Sequence, residues 1–352
     1  MASHSLQPPF PEAVVRAVAG LLIASPGGAA GGVAPGPACG AADASMVAWV
    51  ARYWHVAAAI WPRIRDRLDV PLEVRQACRS AYLANISHNA TLRRVAIDLI
   101  GGLNRLGIVP LVLKGGCQLF DPPGGHAGTR VMVDLDLLVP RGRDHEAFAF
   151  LVDRGYVPEP GLDVARHHHW PKATDPMHGV VVEIHKAPWY GGDMAATEAL
   201  FAAAVPSAAT DVDCLLPCTR HRLLTSAIHG MEADLHHSCV WEADDPGRAI
   251  RFVNLRQLFD FAELAACRGD DVDWPLLLAE ADRFGRGPDL RQWAFLVEDL
   301  FGPGLPRDVA VWDVARPGLE SLGGRLRVAA NLLLRRLGWL DAIRRWRSPS
   351  VR

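Results

Sequence analysis

The sequence predicts an α+β protein in which a small mixed-sheet core is flanked by N-terminal and C-terminal helical regions. Three observations carry this reading. Apolar residues recur at helical spacing over 46–106, short apolar runs bounded by Gly and Pro occupy 107–195, and helical spacing returns beyond 195. The expected organisation is therefore a Gly/Ala/Pro-rich flexible leader at 1–45, a helical region at 46–106, an α/β core at 107–195, and a helical region with a basic tail at 196–352.

Taken in order, the leader holds SPGGAAGGVAPGPACGAAD and one apolar stretch, AVVRAVAGLLIA. Glu12 precedes that stretch and no Lys or Arg comes before it, which is not the charge pattern of a signal peptide. In the first helical region Trp49, Tyr53, Trp54, Ala57, Ile60 and Trp61 mark one face and read as core, while Leu92, Val95, Leu99, Leu103 and Leu106 mark another helix. At Gly107 the character changes. The run IVPLVLKGG reads as a short strand ending on Lys114, Gly115 and Gly116, followed by a helical turn through Phe120. Residues 133–139, VDLDLLV, make an apolar segment of strand length, and 143–154 an amphipathic helix stopped by Gly155. VVVEIHK supplies another strand. Farther on, DVDWPLLLAEADRF reads as a helix with an acidic first turn, and RLRVAANLLLRRLGWLDAIRRWR as a basic amphipathic helix with a solvated outer face, the second reading being contact with an acidic partner, RNA or anionic lipid.

Composition narrows the function classes. The 352 residues are 50% hydrophobic and 22% charged with a formal net charge of −2, as in soluble globular chains, and no global basic field argues for nucleic acid. Seven cysteines without framework spacing read as reduced thiols of a cytoplasmic protein, and Cys214 with Cys218 makes only half of a zinc site. No run approaches the roughly 20 apolar residues of a membrane span.

The chemistry lies in the aspartates. Asp-x-Asp occurs three times, but only Asp134 and Asp136 sit inside a strand-like apolar run; Asp271 and Asp273 open a helix, and Asp211 and Asp213 flank a connector. Residues i and i+2 of a strand share a face, so Asp134 and Asp136 project together, with Val133, Leu135 and Leu137 expected on the other side. Two carboxylates so placed repel each other unless a cation lies between them, and oxygen ligands suit Mg²⁺. Glu183, alternating with Val182 and Ile184, offers a third acid from a neighbouring strand. Two metal ions held by three acids would clamp the attacking and leaving oxygens of a phosphoryl displacement. Lys114, Gly115 and Gly116 fit a phosphate-binding turn, although the Walker spacing is absent, and Arg130 is a candidate phosphate clamp. His185 shares a face with Glu183 and is placed to orient a phosphate or that acid, and His169 is within reach of the same pocket. His167, His168 and His169 read as a loop, with a zinc site among the histidines as the rival reading; His229 reads as a core or interface residue.

The series strand-Lys-Gly-Gly, Arg-x-x-x-Asp-x-Asp-x-Leu-Val and Val-Glu-Ile-His resembles the polymerase-β-type nucleotidyltransferase superfamily, specifically its uncharacterised bacterial nucleotidyltransferase family, over roughly 46–345. The resemblance implies a nucleotidyltransferase core. It gives Gly115 and Gly116 the phosphate turn, Asp134 and Asp136 both metals, and Glu183 the third-carboxylate role. Two departures stand out: Val133 occupies a position where a small polar residue is common, and DPPGGHAGT replaces a loop that often carries an aromatic.

The expectation is a Mg²⁺-dependent enzyme that uses two ions at Asp134, Asp136 and Glu183 to move a nucleoside monophosphate from a nucleoside triphosphate such as ATP. The acceptor is a hydroxyl on a small molecule, peptide or protein. The alternatives are a non-catalytic nucleotide-binding or regulatory module on the same fold, and a zinc hydrolase centred on the histidines.

Overall fold

The computed structural model describes residues 12–23, 43–123, 128–165, 167–208, 211–231, 255–302 and 305. The Gly/Ala/Pro tract at 26–42 and the basic tail from Arg325 lie outside the described residues. Four helices come first: α1 (Glu12–Leu22), α2 (Ala44–Tyr53), α3 (Ala57–Ile64) and α4 (Leu72–Arg105). Within the segment expected to be leader, α1 instead buries Val14, Val15, Val18, Leu21 and Leu22 against the helical core. Its AVVRAVAGLL repeat gives an apolar stripe interrupted only by Arg16, which pairs with Asp299 at 3.2 Å. The aromatic face divides: Trp54 is buried, whereas Trp49 and Tyr53 stack on each other at the surface, 45% and 41% exposed.

Helix α4 ties the molecule together. At 34 residues it runs about 50 Å. Its first turns place Val74 and Cys78 in the helical core, and its last turns place Leu92, Leu99, Ile100 and Leu103 under the sheet.

After α4 come β1 (Leu111–Val112), a 3₁₀ turn (Lys114–Leu119), β2 (Asp134–Leu138), α5 (Asp144–Asp153), β3 (Val157–Pro158), β4 (Ala173–Thr174), β5 (Val181–His185), α6 (Met194–Ala202), β6 (Val205–Pro206) and β7 (Leu215–Leu216). The strands form one mixed sheet in the order β3-β4-β5-β2-β1-β7-β6. Parallel pairings join β2 to β5 and β1 to β7, and the remaining neighbours are antiparallel. Gly155, at φ 86°, ends α5 as its position suggests.

The remaining helices among the described residues are α7 (Thr219–Gly230), α8 (Leu255–Arg268), α9 (Trp274–Arg283) and α10 (Gly287–Phe301). Asp273 caps α9 by accepting from the Leu276 amide, which is what DVDWP foretells. The sheet separates two apolar layers. Leu135, Leu137, Val182 and Ile184 face α4 and α5, while Leu111, Leu113 and Leu138 join the core built by the first and last helices. This is the α+β architecture expected, with helices on both sides of a small mixed sheet. The strand-period alternation explains it: each central strand carries an apolar residue on both faces, so both must be covered.

Candidate active site

Alternation along β2 gives Leu135 and Leu137 to one face and Asp134 and Asp136 to the other. The parallel pairing sets Asp136 opposite Glu183 and Leu138 opposite His185, so the acids of the two strands share a face. Val133 departs from the expectation: it lies before the strand starts and is 54% exposed. The approach to β2 is held by α4, where Asn85 and Asn89 both donate to the Arg130 carbonyl at 2.9 Å and His88 Nε2 lies 2.8 Å from the Met132 carbonyl. These side chains satisfy backbone that no strand pairs, and so fix where Asp134 begins.

Lys114 reaches across from the end of β1 and bonds Asp136 Oδ1 at 2.7 Å. Lys114 adopts φ 50°, a left-handed conformation that costs a non-glycine residue about 1 kcal/mol. The two glycines serve close approach. A Cβ on Gly116 would lie 2.8 Å from Val112 Cγ1, and one on Gly115 would lie 3.1 Å from Met132 Cγ and 3.2 Å from Arg130 Nη2. The turn that follows is 3₁₀ and six residues long.

Two further cations face the acids. Lys172, just before β4, lies 2.5 Å from Glu183 Oε1 and 3.8 Å from Asp134 Oδ2. His185, fully buried, places Nε2 2.8 Å from Asp136 Oδ1 and 3.2 Å from Glu183 Oε2. The electrostatics follow from these neighbours. Burial opposes ionisation of Asp136, but Lys114 and the His185 hydrogen bond outweigh it and hold the carboxyl well below its usual range. Glu183 is likewise held down to about 2, with burial overcome by His185 and Lys114. Asp134 is the exception: burial and the charge of Asp136 push it up to about 6. Burial alone would lower Lys114, yet Asp136 and Glu183 raise it.

The donor chemistry suits a divalent cation. Asp136, Glu183 and His185 each offer a ligand atom, all within 4.8 Å of one another, and Asp134 flanks them with 28% of its side chain exposed. Three acids on one face are the oxygen set a hard ion needs, and the imidazole is an addition to that set.

On the far side of Lys114 a cleft of about 540 Å³, open solvent included, lies between the 3₁₀ turn, α7 and α8. Lys114, Gly115 and Arg130 line it together with Ser226, His229 and Gln257. Arg130 is not a free clamp: its Nε sits 2.6 Å from Asp260 of α8. Arg222 and Arg268 similarly grip Asp121, at 2.6 Å from Arg222 Nη1, and tie the end of the 3₁₀ turn to α7 and α8. His229 lines the cleft, where burial and then the charge of Lys114 push its pKa down to about 3.

The histidine run is partly a site feature. His169 bridges to His185 across the edge of the sheet and brings Nε2 to 4.0 Å from Glu183 Oε2; His168 and Tyr190 pack beside it. Of the residues named from the sequence, Lys114, Asp134, Asp136, Glu183 and His185 converge on the sheet face, while Gly115 and Arg130 border the cleft and Gly116 packs beneath it. Sequence reasoning passed over Lys172, Ser226, Gln257 and Asp260. Lys172 lies in HHHWPKATDP, where no periodicity marks a face, and the others sit on amphipathic helices whose polar residues read as solvated.

The fold and the acid face define an α+β protein whose site is built around clustered carboxylates and suited to a divalent cation. Residues 40–302 match the family model described as uncharacterised nucleotidyltransferase, and the chain belongs to that family. Membership supports a general nucleotidyltransferase function and, with it, a nucleotide substrate. Neither the curated proteins nor the solved structures searched gave a match. Among the described residues no helix is long and apolar enough to cross a membrane.

Proposed function

We propose that the protein transfers a nucleoside monophosphate from a nucleoside triphosphate to a hydroxyl-type acceptor on a small molecule, peptide or protein, with Asp134, Asp136 and Glu183 as the metal-holding acids. The observation that carries this is the register of β2 against β5, which aligns Asp136 with Glu183 on the face that also presents Asp134. Bound there, divalent cations, Mg²⁺ in the simplest case and two of them by family resemblance, would neutralise phosphate charge and polarise the reacting phosphorus.

The chain's own groups do the rest. Lys114 stands between the acids and the cleft, in position to meet a phosphate once its bond to Asp136 loosens. Gly115 leaves the cleft wall without a side chain, so phosphate oxygens can approach backbone. Arg130 adds positive charge on the same wall while Asp260 fixes its direction. Positioning and charge neutralisation then supply most of the rate, as in other phosphoryl transfers. One observation favours a second reading. Lys114 and Lys172 already counter the acids, which would suit a nucleotide-binding module without turnover.

The test is thermal unfolding with each nucleoside triphosphate, with and without Mg²⁺, on the wild type and on the Asp134→Asn, Asp136→Asn double variant. At a nucleotide concentration of a hundred times the dissociation constant, stabilisation of about 2.7 kcal/mol is expected, dependent on Mg²⁺ and lost in the variant. Stabilisation that persists in the variant counts against the site. Stabilisation without transfer of an α-phosphate label to any acceptor in a cell extract favours the binding module.

A further inference from the structure

The cleft beyond Lys114 is charged in one sense. Lys114, Arg130 and Arg222 line it against a single acid, Asp260. Lys114 gives one of its three N–H groups to Asp136. Arg222, 8% exposed, bonds the Asp121 carboxylate through Nη1 and the Asp121 carbonyl through Nη2. Arg130 bonds Asp260 through Nε and the Val131 carbonyl through Nη1, which places Nη2 beside Gly115, 3.2 Å from where a Cβ there would stand. A guanidinium carries five N–H donors, more than these partners take, and the carboxylate held by each fixes its direction. The cations are thus braced rather than used up.

The helices supply neutral groups to the same space. Ser226 and His229 are three residues apart on α7 and share its cleft-lining face, and Gln257 lines the cleft from α8. Held at about 3 by burial and then by the charge of Lys114, the His229 ring is neutral and donates from one nitrogen. Gln257 is 6% exposed, and its Oε1 has no hydrogen-bond partner among the described residues. A buried amide oxygen left unpaired is unfavourable, and a half-turn of the amide puts its NH₂ there instead. A phosphate chain that starts at the acids and runs past Lys114 and Gly115 therefore ends against α7 and α8. An in-line displacement brings its acceptor from the side opposite the departing pyrophosphate, so this cleft is not the acceptor's.

We propose that Ser226, His229 and Gln257 bind the terminal phosphate of the nucleotide, with Arg130 and Arg222 as its counter-charges, so that the cleft selects nucleoside triphosphates over diphosphates. The inference rests on the proposed function for the position of the α-phosphate. A diphosphate placed with its α-phosphate at the acids reaches Lys114 and Gly115 but leaves the α7 donors unmatched.

The full chain is titrated in Mg²⁺ with the α,β-methylene triphosphates of adenosine, guanosine, cytidine and uridine and with the corresponding α,β-methylene diphosphates, following heat by calorimetry. For the base bound most tightly, the triphosphate is expected to bind at least about 30-fold more tightly than the diphosphate, as two hydrogen bonds to a charged group allow. Ser226→Ala, a small change, is expected to weaken the triphosphate about 10-fold while the diphosphate moves less than about twofold. His229→Leu, checked by its melting curve, should lower the same ratio. A wild-type ratio near one, or Ser226→Ala weakening both forms alike, overturns the proposal and leaves the nucleotide site standing. If neither form binds, the proposed function fails with it.

Discussion

Replacing Asp136 is expected to have the largest effect on both chemistry and stability. Asp136→Asn should lower transfer of an α-phosphate label by at least about 1000-fold, since the acid that faces Glu183 across the strand pair is then neutral. Asp136→Ala goes further. It leaves the Lys114 ammonium, only 18% exposed, and the fully buried His185 without their shared carboxylate. Removing one partner of such a pair costs about 3–5 kcal/mol. The double variant Asp136→Ala, Lys114→Met should recover part of that loss, because an uncompensated charge is no longer buried, yet remain inactive. Denaturant unfolding of the three variants measures this; a double variant no more stable than Asp136→Ala alone would show that the ion pair is not the source of the loss.

Gly230→Ala is expected to destabilise the protein by about 3 kcal/mol although it touches no acid. A Cβ there would lie 2.1 Å from Trp293 Cη2 and 2.4 Å from Cζ2, and Trp293 is fully buried, so neither α7 nor α10 can yield cheaply. Helix α7 also carries Ser226 and His229 to the cleft, so nucleotide-dependent stabilisation should weaken as well. Gly20→Ala is the control. Nothing lies within 4 Å of its Cβ and it sits in the last turn of α1, so the change should be neutral or stabilise by up to about 1 kcal/mol. Equal unfolding midpoints for the two variants would remove the packing argument.

The acid face was legible in the sequence because strand alternation is local. Asp134 and Asp136 in VDLDLLV and Glu183 in VVVEIH announce their own faces, and one parallel pairing brings them together. The Lys-Gly-Gly turn was legible in position but not in conformation, since nothing local says that Lys114 rather than a glycine takes φ 50°. Lys172 was not legible: its pairing depends on β4, two residues long, folding antiparallel against β5. Nor was the Arg130–Asp260 pair, whose members lie far apart in the chain, one between β1 and β2 and the other on α8, and meet only when α8 packs against the turn. The buried face of α1 was masked by its Gly- and Pro-rich surroundings. In each case what sequence periodicity omits is contact between elements far apart in the chain.

The most direct test of the acid-centred site is anomalous diffraction from crystals grown with Mn²⁺ and a non-hydrolysable α,β-methylene nucleoside triphosphate. The expected result is a manganese peak bonded to Asp136 and Glu183, with the triphosphate running toward Gly115 and Lys114. A nucleotide bound with its phosphates away from these residues, or manganese found only elsewhere on the chain, would contradict it.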